Sequence, residues 1–426
     1  MADLRFLEEV LSDQKYEIEL RAQKKFVPRK EEALIDLDSP LAQVVIGVRR
    51  CGKSTLCLNA LKIAKVKFAY VNFDDERLVD IKGSDLNDIL EVLYKINGEF
   101  QYLFIDEIQN IPEWYLFINR LLRREMHIII TGSNAKLLSG ELATHLTGRH
   151  TPITLYPFSF SEFCDWKEVD KTGLATHLVA ARRAAFDEYL HQGGFPELLK
   201  IRNHREYIDN LVRNIVKRDI EQRFRIAHKA TFEQLVQHML NVSPGIVSDK
   251  NLASSFKIAS SHTVANYLGY MKEAFLISRL QKFAYKSRLR FSQNKAYPID
   301  VAFMNFRENA FAGENLGPRL ETIVYIELLR QCGPLGKDIF YYCDRSTECD
   351  FVICDHGHVE TAIQVCYDLS SESTRKREIN GTIAAARKLK AKRLLLLTDH
   401  EYADIEEDGY TIAIRPVYEW SLSPSI

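Results

Sequence analysis

Short apolar runs of strand length alternate with amphipathic stretches of helical period through the first third of the chain, a pattern that predicts an α/β fold with a parallel sheet. Residues 41–46, 66–73, 102–105, 127–131 and 152–156 read as strands. Residues 84–93 and 135–142 read as helices between them, and residues 1–19, where acids and bases mix with leucines, read as an amphipathic helix. A helix over 181–191 ends at a Gly-Gly pair. From Ser248 two short helices with a tight turn, the second starting near Ser261, precede strands at 276–283 and 289–291. The last stretch reads as a helix over 315–331, strands at 339–343, 349–354 and 362–366, a helix over 374–389 and a strand at 394–398.

The first strand runs into Gly47-Val48-Arg49-Arg50-Cys51-Gly52-Lys53-Ser54, followed by Thr55 and a helical pattern, which is a complete Walker A phosphate loop in strand–loop–helix context. Its chemistry follows from the backbone. Glycines let the loop wrap a phosphate with its amides inward, at the positive end of the next helix. Lys53 is expected at the β- and γ-phosphates and the Ser54 hydroxyl on Mg2+, which makes ATP and Mg2+ the expected cofactors. The strand at 102–105 ends in Asp106-Glu107, a Walker B pair in which Asp106 holds the metal shell and Glu107 polarises the attacking water. The strand at 127–131 ends in Gly132-Ser133-Asn134 at the ligand-binding edge of such a sheet, where Ser133 or Asn134 either senses the γ-phosphate or caps the next helix. Arg149, just before the fifth strand, stands where an arginine finger reaches its own nucleotide or that of a neighbouring subunit.

Other nucleotide-binding classes do not fit. Leu138-Ser139-Gly140-Glu141 follows the Walker B pair, whereas a transporter signature precedes it, and Asn294-Lys295-Ala296-Tyr297 lacks the Asp of a guanine-reading motif. With these motifs in this order, followed by Pro157-Phe158-Ser159-Phe160-Ser161-Glu162-Phe163, the chain resembles the prokaryotic AAA-type ATPases that carry a C-terminal domain of unknown function. The resemblance implies an N-terminal helix and AAA core over 1–165, a helical lid over 166–235, a winged helix over 236–305 and a last domain over 306–426. It also implies that the G-G-x-P element, here Gly193-Gly194-Phe195-Pro196, brings Pro196 towards the adenine, although Gly and Pro break a helix in any case.

In the winged-helix stretch Arg279, Lys282, Lys286, Arg288, Arg290 and Lys295 occur without an intervening acid and with Phe283, Tyr285 and Phe291 among them, a candidate phosphate-backbone contact. A solvated basic face or a protein-binding module reads equally well from such a stretch. The order of elements in the last domain resembles the core of restriction-endonuclease-like nucleases, whose metal site uses an Asp and a Glu-x-Lys. Asp350 and, from the helix, Glu321 match, but Gln364-Val365-Cys366 stands where Glu-x-Lys belongs. Gln offers a neutral oxygen and Cys no ammonium, so the domain is expected to be catalytically degenerate unless Glu360, Lys376 or Arg377 enters the site.

The chain has 426 residues, 46% hydrophobic and 27% charged, with a formal net charge of −1, which excludes a globally basic nucleic-acid binder and leaves local patches open. No apolar run approaches the roughly 18 residues of a membrane span, the first residues lack the pattern of a signal peptide, and the eight cysteines form no C-x-x-C pair. The expectation is a cytoplasmic, Mg-dependent ATP hydrolase that couples nucleotide state to a DNA or protein partner and assembles, in some relatives, into homo-oligomers. A nucleotide-gated switch or scaffold with little turnover is the alternative, and an ATP-dependent nuclease a third.

Overall fold

The computed structural model describes residues 3–134, 146, 148–242, 244–284, 294–305, 316–345 and 347–423, which form two compact units, Met1–Leu155 and Tyr156–Ile426. In the first unit, α1 (Leu4–Ala22) is N-capped by the Asp3 side chain and buries Leu7, Val10, Leu11 and Ile18. Its buried Gln14 amide both donates to the Asn72 carbonyl (3.0 Å) and accepts from the Asn72 amide (2.9 Å), which fixes the helix to the end of a strand. β1 (Ala42–Ile46), α2 (Lys53–Ala64), β2 (Phe68–Asn72), α3 (Leu86–Asn97), β3 (Tyr102–Asp106), α4 (Trp114–Leu122), β4 (His127–Gly132) and β5 (His150–Thr154) follow. The strands form one sheet in the order β2-β3-β4-β1-β5, and every neighbouring pair is parallel.

That topology explains the runs of Val, Ile and Leu. β1 is buried at all five positions because parallel strands with helices on both faces meet no water. All five carboxyl ends open on one edge, and β1, between β4 and β5, sits where the order of connection reverses. The helix read at 135–142 lies outside the described residues.

The second unit begins with α5 (Phe160–Lys167), closed by a capping box in which Ser159 Oγ accepts from the Glu162 amide (3.3 Å) and Glu162 accepts from the Ser159 amide (2.8 Å). α6 (Thr176–Gln192), α7 (His204–Asn214), a π-helical stretch Ile215–Glu221 and α8 (Lys229–Val242) come next. β6 (Gly245–Val247) precedes α9 (Asp249–Ser255) and α10 (Ser261–Glu273), each N-capped by the serine before it. β7 (Ile277–Gln281) and β8 (Asn294–Pro298) complete a three-stranded antiparallel sheet in the order β6-β8-β7. The return strand is therefore β8; the strand read at 289–291 lies outside the described residues.

After α11 (Ala302–Asn305), α12 (Leu316–Leu335) leads to β9 (Asp338–Cys343), β10 (Glu348–Asp355), β11 (His358–Val365), α13 (Glu372–Leu389), β12 (Arg393–Thr398), β13 (Ala403–Glu407), β14 (Tyr410–Pro416) and α14 (Val417–Leu422). Six strands order as β13-β14-β12-β11-β10-β9, antiparallel from β9 to β11 and parallel from β11 through β12 to β14. The inward residues of these strands pack on Ile379, Ile383, Ala386 and Leu389 of α13. The β13–β14 hairpin and α14 are additions to the elements read from the sequence.

Candidate functional site

The loop Gly47–Ser54 turns at the carboxyl end of β1. A Cβ on Gly47 would lie 2.0 Å from the backbone carbonyl oxygen of Leu155, so no larger residue fits there without moving the strand end beside it. Gly52, at φ +104°, occupies the left-handed region and caps α2. Lys53 is 5% exposed, and its ammonium donates to the carbonyls of Gly47 (3.1 Å) and Val48 (3.2 Å) while lying 3.8 Å from Glu107 Oε1. Val48 is buried, Arg49 pairs with Asp74 (3.0 Å), and Arg50 and Thr55 face solvent. Cys51 is fully buried, its thiol donates to the Leu155 carbonyl (3.4 Å), and burial raises its pKa against the pull of Lys53 and Arg29.

Asp106 and Glu107 leave β3 at the same edge. Asp106 is buried and takes hydrogen bonds from Thr131 Oγ1, from the Tyr70 hydroxyl (3.3 Å) and from Ser54, the residue expected beside it on a metal ion. Burial and then the Glu107 charge raise its pKa, against Ser54, Thr131 and Lys53. Glu107 sits in the left-handed region (φ 54°, ψ 43°), which aims its side chain back across the edge of the sheet. Its Oε2 accepts from the Ser133 amide (3.2 Å) and from Gln109, and its own amide donates to Thr131 Oγ1 (3.2 Å). Burial pushes the Glu107 pKa up, but Lys53, Arg49, Gln109 and Ser133 together outweigh it and hold the carboxyl below its usual range.

The structure thus brings Gly47, Val48, Arg49, Cys51, Gly52, Lys53, Ser54, Asp106, Glu107 and Ser133 to one edge of one sheet, with Asn134 buried directly after Ser133. Arg149 is elsewhere. It is exposed, and its carbonyl accepts from the Ala42 amide (3.1 Å) at the amino end of β1. Five residues of strand span roughly 16 Å, so its side chain starts at the opposite edge from the phosphate loop. The reading in which Arg149 reaches its own nucleotide is thereby corrected, because strand direction places it away from that edge.

In the second unit, Gly193 ends α6 at φ +81°, where a Cβ would meet Asp300 Oδ1 at 1.9 Å. The Gly194 amide donates to Asp300 Oδ2 (3.0 Å), the Phe158 amide donates to the Gly194 carbonyl (2.7 Å), and the rings of Phe195 and Phe303 lie 5.3 Å apart. Pro196 is half-buried at the end of this turn. Asp300 accepts a second amide, that of Ala302 (2.8 Å), and burial pushes its pKa up to about 6.

Of the basic stretch, Lys286, Arg288 and Arg290 lie outside the described residues. Lys282 is half-buried and pairs through its backbone with Tyr341, and Arg279 lies 3.8 Å from Asp249. Lys295 departs from the nucleic-acid reading. It is 6% exposed, and its ammonium meets Glu321, Glu348 and Asp350, whose charges outweigh burial and raise its pKa. Gln364 Oε1 accepts from the Asp350 amide (3.2 Å) and its Nε2 donates to Glu378 (3.0 Å), while the Cys366 thiol donates to the Asp368 carbonyl (3.3 Å). Glu360 pairs with Lys337 (2.6 Å) and Arg377 with Glu378 (2.7 Å), so the ammonium beside Asp350 comes from β8 and from neither of these strand or helix neighbours.

Sequence reasoning passed over Thr131, Tyr70 and Arg29. The first two touch Asp106, and Arg29, buried ahead of β1, donates to the Cys51 carbonyl (3.3 Å). Only for Thr131, which precedes Gly-Ser-Asn at a strand end, was there a local signal.

Residues 39–164 match an AAA domain, and residues 183–312 match a domain of unknown function (DUF8612). An uncharacterized protein of Methanocaldococcus jannaschii, MJ1544, is 33% identical over 99% of this chain and 97% of its own length. An uncharacterized protein of Haemophilus influenzae is 28% identical over 90% of this chain and 95% of its length. Among solved structures, the Walker-type ATPase PABY2304 of Pyrococcus abyssi is similar over 67% of this chain and 96% of that one (14% identity, TM-score 0.43), and Thermotoga maritima RuvB over 67% and 91% (14%, TM-score 0.29). With a phosphate loop at the switch point of a parallel sheet, an AAA-domain match around it and an end-to-end relative at one-third identity, the chain belongs to a family of AAA-type P-loop ATPases that carry a domain of unknown function beyond the core.

Proposed function

We propose that the chain binds ATP with Mg2+ at the edge formed by Gly47–Ser54, Asp106, Glu107 and Ser133, hydrolyses it, and uses the change to act on a DNA or protein partner. The observation that carries the reading is the junction of Ser54, Asp106 and Thr131, beside a Glu107 carboxylate held within 3.8 Å of Lys53. Ser54 and Asp106 offer hard oxygens from two elements, a donor set that suits Mg2+ completed by phosphate and water oxygens. Bound there, the ion would neutralise charge on the transferring phosphoryl group.

The residues supply the rest. Lys53, which now caps two loop carbonyls, can turn to the phosphates over a short distance. Glu107, kept ionised by Lys53 and Arg49, is a base ready to take a hydrogen bond from water, and Ser133 holds it in line. Arg149, at the far edge, serves the nucleotide of a neighbouring copy. A DNA partner would be met by Lys282, Lys286, Arg288 and Arg290, since Lys295 is engaged by acids.

Phosphate release from ATP, measured with and without DNA, tests this. Lys53→Ala should lose nucleotide binding, and Glu107→Gln should keep binding while turnover falls at least a hundredfold. Turnover that both variants leave intact refutes the site. If nucleotide binds without measurable turnover in the intact chain, the switch reading replaces hydrolysis. Stimulation by DNA that survives neutralising Arg288 and Arg290 refutes the DNA contact.

A further inference from the structure

A second charged cluster lies in the C-terminal half, on residues other than those assigned to the nucleotide site. Lys295 enters it from β8, Glu321 from α12, and Glu348 and Asp350 from β10. The ammonium lies 3.2 Å from Asp350 Oδ1, 3.3 Å from Glu321 Oε1 and 3.2 Å from Glu348 Oε1, with its side chain 7% exposed. Tyr297 donates to Glu321 Oε1 (2.7 Å), the Val365 amide donates to Asp350 Oδ2 (3.1 Å), and the face of Tyr341 lies 5.6 Å from the ammonium.

We propose that Lys295 is a built-in cation that takes the place a divalent metal ion would have between Asp350 and Glu321, so that this cluster works as a metal-free clamp between the three-stranded and six-stranded sheets. The competition is direct. An ammonium at hydrogen-bond distance from three carboxylates uses the oxygens that a hard cation would need at about 2.0 to 2.6 Å. Among the described residues, removing it would leave three carboxylates with no positive partner, two of them largely buried, and such a set either gathers another cation or comes apart. An alternative is a working nuclease whose lysine has moved to β8. Gln364 disfavours it, because its side-chain oxygen is taken by the Asp350 amide and its nitrogen by Glu378.

The test uses the full chain without nucleotide and Mn2+ as the probe, followed by electron paramagnetic resonance and thermal unfolding. Wild type should show no Mn2+ uptake that depends on Asp350. Lys295→Met should take up one further Mn2+ per chain and melt higher in its presence, and Lys295→Met with Asp350→Asn should lose both effects. Lys295→Met with Glu321→Gln, which carries one carboxylate fewer, guards against a variant that fails to fold. The proposal is overturned by Mn2+ binding or Mn2+-dependent DNA cleavage in wild type that Asp350→Asn abolishes. It is equally overturned if neither Lys295→Met nor Lys295→Met with Glu321→Gln gains an ion, or if both stay unfolded in Mn2+. None of these readouts involves ATP, so failure of the nucleotide reading leaves them unchanged.

Discussion

Replacing Thr131 by Val keeps the shape of a fully buried residue and removes one hydroxyl that does two things: it donates to Asp106 and accepts from the Glu107 amide. A hydrogen bond to a charged group contributes about 1.5 to 3 kcal/mol, and the part-buried Glu107 amide left without an acceptor costs up to about 1 kcal/mol more. The two losses share one atom, so the sum is about 2 to 4 kcal/mol. For a unit the size of Met1–Leu155 this lowers the melting temperature by about 4 to 16 °C. The second consequence is electrostatic. Thr131 is among the groups that hold the Asp106 pKa down, so its loss moves a carboxyl already raised by burial further up and weakens it as a cation ligand. Scanning calorimetry should therefore show the drop in melting temperature, and titration of nucleotide binding against Mg2+ should show a higher midpoint. Thr131→Ser retains both hydrogen bonds and should lose only about 1 kcal/mol with the methyl group. If Val melts within 1 °C of wild type, or if Ser falls as far as Val, the hydroxyl is not what joins Asp106 to Glu107.

Gly193→Ala places a methyl group on the Asp300 carboxylate in a left-handed turn and should cost about 2 to 4 kcal/mol in the unfolding of the second unit, measured by denaturant titration, whereas Gly269→Ala, in open space on α10, should be neutral or stabilising. Asp300, with a folded pKa of about 6 against an ordinary value near 3.8, binds its proton more tightly folded than unfolded. Its contribution is full below about pH 4 and is lost as pH rises through 6, which amounts to about 3 kcal/mol over that window. Asp300→Asn should remove this slope from the stability profile between pH 4 and 6, while the slope outside the window stays the same.

What the sequence makes legible here depends on how far apart the cooperating residues are. Gly47–Ser54 is a contiguous string whose local geometry is dictated by its glycines and by the strand and helix around it, so motif and loop coincide. Asp106-Glu107 is equally local. Thr131 acquires its meaning only because β4 lies beside β3, a neighbour relation set by sheet order. For Arg149 the sequence leaves open its own nucleotide or that of a neighbouring subunit: its position before β5 is plain, but which end of β1 that position faces depends on pairing Ala42 with His150. Lys295 shows the limit best. Among Lys282, Lys286, Arg288 and Arg290 it reads as one more surface cation, and only residues 26 to 55 positions later make it an internal one. The same distance hid the origin of the ammonium beside Asp350, which was sought at the Glu-x-Lys position and on the following helix.

The phosphate loop is held in place by strands made long after it. β1 pairs with β4 and β5, and Gly47 packs against the carbonyl of Leu155, more than a hundred residues along the chain. During synthesis, a nascent chain that ends between β4 and β5 carries every letter of the Walker sequence but lacks the Leu155 carbonyl behind Gly47, and it leaves one edge of β1 unpaired. A nucleotide bound at this loop would stabilise the first unit only once β5 has docked, and the interval before β5 emerges is when one edge of β1 is open to aggregation or to a chaperone.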